Sequence, residues 1–288
     1  MSQSTMGETP KPPLKADLTI ALVTDLHFGP EARFAGKLRK LTAHAGDLTR
    51  AFVERMNREI HPDLVCNLGD DIEDEGPDKD RARYAECQSI LRGCDAELVN
   101  VAGNHDTIHL SPADLRRAWG KEAEGELYSS FDRAGFHFVV LHTQERKDHD
   151  VSIGEAQLQW LAGDLAAHPQ PTIVLMHHSA ADQDLRHNRW FEGLPHICLV
   201  RERRKIRALL EGHGEVRAVF NGHLHWNHLD VIGGLPYVTL QSLIENLDDD
   251  APGRAAAVHA VVRVSAKRIV VEVEGAERAR YQLEARRG

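Results

Sequence analysis

An α/β fold is predicted for this chain from three observations. Short β-rich runs alternate with stretches of helical periodicity, the runs are bounded by turn residues, and five of them end on residues of metal-ligand type. Leu98 to Ala102 runs into Gly103-Asn104-His105-Asp106, and Thr19 to Thr24 runs into Asp25 and His27. Leu64 to Leu68 leads to Gly69-Asp70, Ile173 to Met176 to His177-His178, and Ala218 to Phe220 to Asn221-Gly222-His223-Leu224-His225. In open α/β sheets ligands collect beyond the carboxyl ends of the strands, so the five ends are expected to converge on one site.

The 288-residue length is near the size at which single cores stop growing, which predicts one domain over residues 17–288. Residues 1–16 are polar and proline-bearing, lack the apolar core of a signal peptide, and read as a disordered tail. No apolar run is long enough to span a bilayer. Cys66, Cys87, Cys94 and Cys198 form no two-residue pairing motif and read as reduced thiols, which makes the expected location cytoplasmic. A net charge of −9 opposes broad attraction to nucleic-acid backbone, so no polymeric nucleic-acid partner is expected.

The first strand is followed by a polar segment, Phe28 to Gly46, whose Arg33, Lys37, Arg39, Lys40 and His44 read mostly as solvated. Asp47 is expected to cap a helix that buries Leu48, Phe52, Val53 and Met56. After Asp70 an acidic tract, Asp71 to Asp80, reads as a solvated turn, and a helix over Ala82 to Leu91 leads to the third strand. Ser111-Pro112 is an N-cap followed by a first helical residue. Tyr128 to Phe131 and Phe136 to Leu141 are expected to pair across the Asp132 to Gly135 turn. Ser152-x-x-Glu155 reads as a capping box ahead of a helix burying Leu158, Leu161 and Leu165. Residues 179–200 form a long connection that could cap the site, and Arg186, His187, Arg189 and Trp190 give it groups able to bind substrate. The basic run Arg201 to Arg207 reads as the solvated face of a helix. Strands near Val231, Tyr237 to Leu240, Val258 to Val264 and Arg268 to Glu274 close the fold antiparallel.

Any one of the ligand-type blocks is commonplace by itself; all five in this order are not. The set Asp25-x-His27, Gly69-Asp70, Gly103-Asn104-His105-Asp106, His177 and Gly222-His223-Leu224-His225 resembles the calcineurin-like metallophosphoesterase superfamily over residues 18–245. The resemblance implies a four-layer α/β/β/α sandwich of two mixed sheets. It implies one divalent ion at Asp25, His27, Asp70 and His225, a second at Asp70, Asn104, His177 and His223, and a metal-bound hydroxide that attacks phosphorus. Carboxylate, amide and imidazole donors suit Mn, Fe, Zn or Co. By the same resemblance His105 is a catalytic non-ligand that serves the leaving group, and Asp106 supports the site. Family members often carry aspartate three residues after the bridging one, where this chain has Glu73, so either Glu73 or Asp74 could orient His105.

The function expected first is hydrolysis of a small phosphodiester of the cyclic-nucleotide or glycerophosphodiester type. A broad phosphomonoesterase is the alternative, and a catalytically silent metal-binding scaffold is a third. The ligand set and His105 speak against the scaffold. A serine/threonine phosphatase is disfavoured, because Glu73-Asp74-Glu75 stands where that group's arginine would fall. Association into a homo-oligomer is left open.

Overall fold

Alternate side chains of the first strand point in opposite directions, and that alternation sets the layering. The computed structural model describes residues 17–31, 33–145, 150–265 and 267–284; the expected tail, residues 1–16, lies outside them. The strands are β1 (Leu18–Val23), β2 (Leu64–Asn67), β3 (Glu97–Asn100), β4 (Ser129–Arg133), β5 (Phe136–Val140), β6 (Gln144–Glu145) and β7 (Val151–Ser152). They continue with β8 (Thr172–Leu175), β9 (Val216–Asn221), β10 (His228–Ile232), β11 (Leu235–Thr239), β12 (His259–Val264), β13 (Arg268–Glu274) and β14 (Ala279–Glu284). The helices are α1 (Ala45–Arg55), α2 (Pro77–Leu91), α3 (Pro112–Ala118), α4 (Glu155–Ala167) and α5 (Arg203–His213).

Two six-stranded mixed sheets result, in the orders β14-β13-β12-β1-β2-β3 and β10-β11-β9-β8-β5-β4. Leu18, Ile20 and Leu22 of β1 join Phe138 and Val140 of β5 and Phe220 of β9 in the core between the sheets. Ala21 and Val23, on the opposite face of β1, pack with Phe52 of α1, Tyr84 and Leu91 of α2 and Leu115 of α3. Val139, Val174 and Val219 cover the far face of the second sheet together with Leu158, Leu161 and Leu165 of α4 and Ile206 and Leu210 of α5. The four-layer α/β/β/α sandwich is therefore present. Ile269, Val271 and Val273 of β13 enter the inter-sheet core as their alternation predicts.

Local expectations fare unevenly. Ser111 caps α3, with Ser111 and Asp114 exchanging side-chain-to-backbone hydrogen bonds, and β4 pairs antiparallel with β5. The capping box at Ser152 does not form, because β7 extends through Ser152 and Gly154 takes the N-cap position of α4. Asp47 lies within the first turn of α1 rather than at its cap. Arg207 is not on a solvated face: it is buried and donates to Ala180 O at 2.8 Å and to Asp182 at 2.6 Å. The closing section is antiparallel only in part, since β11 runs parallel to β9 and extends the second sheet. β14, beyond the last strand expected from the sequence, pairs antiparallel with β13 at the sheet edge. The four cysteines are free and buried, and among the described residues no helix is long and apolar enough to cross a membrane.

β1, β2 and β3 run parallel in one sheet, and β5, β8, β9 and β11 in the other, so seven strand ends open toward one edge. There the sheets are tied together by hydrogen bonds. Asp25 Oδ2 accepts from the His223 amide at 3.0 Å, Leu68 O accepts from His177 Nδ1 at 2.8 Å, and Ser242 Oγ donates to Asp25 O at 2.7 Å. The approach is close enough to require glycine. A Cβ on Gly222 would meet Thr24 Oγ1 and, at 2.6 Å, Asp25 Oδ2; one on Gly103 would fall on the amide and carboxylate of Asp70. Gly222→Ala is therefore expected to cost about 1–3 kcal/mol of stability, read as a lowered midpoint in urea unfolding.

Candidate metal centre and active site

Each block contributes its side chains from a turn just past a strand. Five of these residues hold left-handed backbone without being glycine: Asp25 (φ 53°), His27 (44°), Asp70 (58°), His223 (65°) and His225 (50°). Non-glycine residues pay for that conformation, and it persists where surrounding structure over-determines it, often at functional sites. Here the determination comes from backbone pairing beyond the strands, with Asp25 N donating to Gly69 O at 2.9 Å and His27 N to Asp70 O at 3.0 Å. Asp106 adds to it. Its buried carboxylate accepts from the amides of Asp70 (3.0 Å), Asp71 (2.9 Å), Ile72 (3.3 Å) and Gly103 (2.9 Å).

The ligand-type side chains meet in two overlapping groups. Asp25, His27 and His225 offer donor atoms all within 4.8 Å of one another, as do Asp25, Asp70 and His177. Asp70 Oδ2 stands between them, 3.3 Å from His177 Nε2 and 3.9 Å from His27 Nε2, while Asn104 Oδ1 lies 3.1 Å from His177 Nε2. His223 stands edge-on to His177, with ring centroids 5.1 Å apart. All seven expected ligand positions are thus brought together.

The donor set fits cations. His27 Nδ1 faces Glu73 Oε2 at 3.1 Å and His225 Nδ1 faces Glu245 Oε2 at 2.7 Å, so the two Nε2 atoms point at each other across 3.2 Å. Two nitrogen atoms so placed need a positive charge between them, a proton in the ion-free protein or a metal ion in its place. Asp25 Oδ1, fully buried, has no hydrogen-bond partner, although it lies 3.4 Å from His225 Nε2. A positive ion would satisfy all three atoms.

The ionisable groups compensate one another. Burial raises the Asp25 carboxyl, but His225 and His177 together outweigh it and bring it down to about 2. Burial opposes charge on His177 and His225, yet Asp70 lifts the first to about 10 and Asp25 the second to about 9. His27 goes the other way, to about 4, through burial and the nearby Lys40. Protons on two imidazoles thus supply positive charge that a divalent ion would displace, a coupling expected to make metal affinity depend on pH.

A cavity of about 360 Å³ opens over this floor. His105 lines it, with Nδ1 2.6 Å from Asp74 Oδ1. The partner of His105 is therefore Asp74; Glu73 instead bonds Lys40 at 2.8 Å and faces His27. Trp190 also lines the cavity, together with Phe34, Ile108, Phe191 and Ile197. Arg186, His187 and Arg189 are not among its lining residues: Arg186 pairs with Asp184, His187 is exposed, and Arg189 bonds Glu245 Oε1 at 2.9 Å.

Several participants lie outside the expected set. Lys40 is buried, not solvated, with its ammonium 5.3 Å from the Trp190 ring centroid. The acidic tract is not simply a solvated turn either, since Asp71, Glu73 and Asp80 are all buried. Glu245 lies in the loop after β11, beyond Leu243 and Ile244, so the strand-end pattern that marks the other blocks does not single it out. Nothing in the sequence marks Lys40. His178 is buried beside His177 and His223, with which its donor atoms lie within 4.8 Å, and its Nε2 is 4.0 Å from Glu145 Oε2.

Two face-to-face sheets with carboxylate, amide and imidazole donors gathered at their common edge define a candidate metal-dependent hydrolase. The chain belongs to the calcineurin-like phosphoesterase family, whose model matches residues 18–227, and that is a family of dinuclear metal-dependent phosphoesterases. It is 28% identical over 241 residues to a Mycobacterium tuberculosis protein named a cAMP/cGMP dual specificity phosphodiesterase, covering 80% of this chain and 67% of that one. It is 26% identical over 181 residues to a probable cyclic nucleotide phosphodiesterase of Rhodococcus erythropolis, covering 61% of this chain and 55% of that one. Among solved structures, a dimetal phosphatase from Danio rerio superposes with a TM-score of 0.74 at 19% identity, covering 93% of this chain and 99% of that one. That likeness is one of fold.

The hydrogen bonds to Asp106 make a stability prediction. Asp106→Ala would leave up to four buried amides without their acceptor, and is expected to cost about 3 kcal/mol or more, measured by thermal or denaturant unfolding of the metal-free protein.

Proposed function

We propose that the chain hydrolyses a small phosphodiester, of the cyclic-nucleotide type before the glycerophosphodiester type. In this reading Asp25, His27 and His225 hold one divalent ion, Asn104, His177 and His223 hold a second, and Asp70 is shared. Such ions supply a nucleophile ionised at neutral pH and positive charge against the phosphoryl oxygens. Asp106 and the backbone pairing fix the turns so that the donors need little rearrangement.

His105 handles the leaving group. Asp74 holds its Nδ1, which leaves Nε2 as the nitrogen available to substrate. In the ion-free protein burial and Lys40 lower its pKa, but Asp70, Asp74 and Glu73 together outweigh them and raise it; the Asp74 hydrogen bond is a part of that support that does not involve an ion ligand. An imidazolium can pass its proton to a departing alkoxide, the poor leaving group of an alkyl phosphodiester.

The observation that carries the preference for a diester is the cavity wall. Phe34, Ile108, Trp190, Phe191 and Ile197 give the cavity an apolar wall, with Trp190 and Phe191 packed beside His225 and His223, which suits a planar or apolar substituent on phosphorus. Among the described lining residues there is no arginine, and Lys40 is already paired with Glu73 while Asp74 and Glu145 add negative charge. A monoanionic diester tolerates that balance better than a dianionic monoester. The names of the two curated relatives support the same substrate class.

The test compares kcat/KM for 3′,5′-cyclic AMP, glycerophosphocholine and a nucleoside 5′-monophosphate in the Mn²⁺-loaded enzyme. At least one diester should exceed the monoester by about tenfold or more, equivalent to ~1.4 kcal/mol of transition-state discrimination; a better monoester would replace this reading with the phosphomonoesterase.

Two variants probe the machinery. Asp70→Ala should lower the content of both ions in elemental analysis and abolish nearly all hydrolysis, whereas His27→Ala should weaken mainly one ion. His105→Ala should keep its metal and turn over about 10²–10⁴-fold more slowly on an alkyl diester, with a smaller defect on a nitrophenyl diester whose leaving group needs no proton. An equal defect on both substrates would assign His105 to orienting the phosphoryl group.

A further inference from the structure

Glu245 stands just past β11 and has no access to solvent. Its carboxylate is shared between two parts of the molecule. Oε2 accepts from His225 Nδ1 at 2.7 Å, and Oε1 accepts from Arg189 Nη1 at 2.9 Å. The indole Nε1 of Trp190 lies 3.1 and 3.2 Å from the two oxygens.

The segment carrying Arg189 and Trp190 makes further contacts with the same turn. Phe191 stacks on His223 with centroids 4.7 Å apart, Ile197 O lies 3.2 Å from His223 Nε2, and Asn188 Nδ2 donates to Leu224 O at 2.9 Å. Trp190 lies against His225 with ring centroids 5.1 Å apart, so every residue from His223 to His225 is touched by residues 188–197. Asn188 also shapes the segment itself, since its Oδ1 accepts from the amides of Trp190 at 2.9 Å and Phe191 at 2.8 Å.

We propose that Glu245 is a positioning residue that couples ion binding at His225 to the seating of Trp190 and Phe191 in the cavity wall. A carboxylate on the far nitrogen of a ligating imidazole fixes the ring and strengthens it as a donor. Glu245 does so only while held in place, and Arg189 and Trp190 hold it from the other side. An ion that locks His225 therefore locks Glu245 and, through it, the aromatic wall. By linkage, a seated wall strengthens ion binding by the same factor. The wall that accepts substrate is thus held more firmly on a loaded centre than on an empty one. The inference rests on the reading of His225 as an ion ligand.

The experiment follows amide hydrogen exchange in peptides spanning residues 186–194, with and without saturating Mn²⁺, alongside Mn²⁺ affinity and stoichiometry. Wild-type protein should slow its exchange at Trp190 and Phe191 by about tenfold on loading. Glu245→Gln should bind Mn²⁺ about 10–100-fold more weakly and lose the loading-dependent protection even at saturation. Arg189→Lys keeps the charge but loses the planar fork, and its partly exposed site makes it the safer variant should Glu245→Gln not fold. It should weaken Mn²⁺ several-fold, lose most of the protection, and raise KM for the diester more than it lowers kcat. Protection in wild type that ignores Mn²⁺, or an Arg189→Lys protein that responds to Mn²⁺ as wild type does, overturns the coupling. Wild-type protein that binds no Mn²⁺ overturns the metal reading and the coupling with it, and the stoichiometry separates that failure from the others.

Discussion

The acceptance of four backbone amides by one buried carboxylate, Asp106, holds the rest of the site in register. It clamps the turn after β2 to the turn after β3. Those turns carry Asp70 and the pair Asn104-His105, so the shared carboxylate, an amide donor and the proposed acid all hang from one anchor. Across the gap between the sheets, Asp25 and His177 play the corresponding part by bonding backbone groups of the opposite sheet. The ligand-type side chains are thus placed by main-chain hydrogen bonds, which are short and directional, rather than by packing of their own flexible ends.

What the sequence revealed follows from that arrangement. A strand end followed by glycine and a polar ligand-type residue is a local pattern, and each of the five blocks is written within a few consecutive residues. The sandwich itself was legible through the resemblance, with the alternation of strands and helices consistent with it. The residues that support the ligands were less legible, because their partners are distant in the chain. Glu245 serves His225 from twenty positions away, and Lys40 meets Glu73 across thirty-three. Lys40 sits in a run of polar residues indistinguishable by composition from solvated loop, and only the fold closes Phe34 and Trp190 over it.

The binding expectation for residues 179–200 divides along the same line. Trp190 reaches the cavity as an aromatic group of that segment could, whereas Arg189 turns toward Glu245 and Asp249. Charge decided between them. An arginine beside a fully buried carboxylate gains more from neutralising it than from facing an open cavity, and the adjacent indole is left to form the wall. Asp74 rather than Glu73 serves His105 for a similar reason, since Glu73 is already committed to Lys40 and His27.

The left-handed turns at Asp25, His27, Asp70, His223 and His225 also show how far the donor set depends on the whole fold. An isolated peptide carrying any one of these blocks has little tendency to hold that backbone, and the hydrogen bonds that impose it come from neighbouring strands and from the opposite sheet. The donor geometry therefore depends on both sheets being docked. The donor set is held in place by the fold's own hydrogen bonds, which sets the protein apart from small zinc domains that need their ion in order to fold at all.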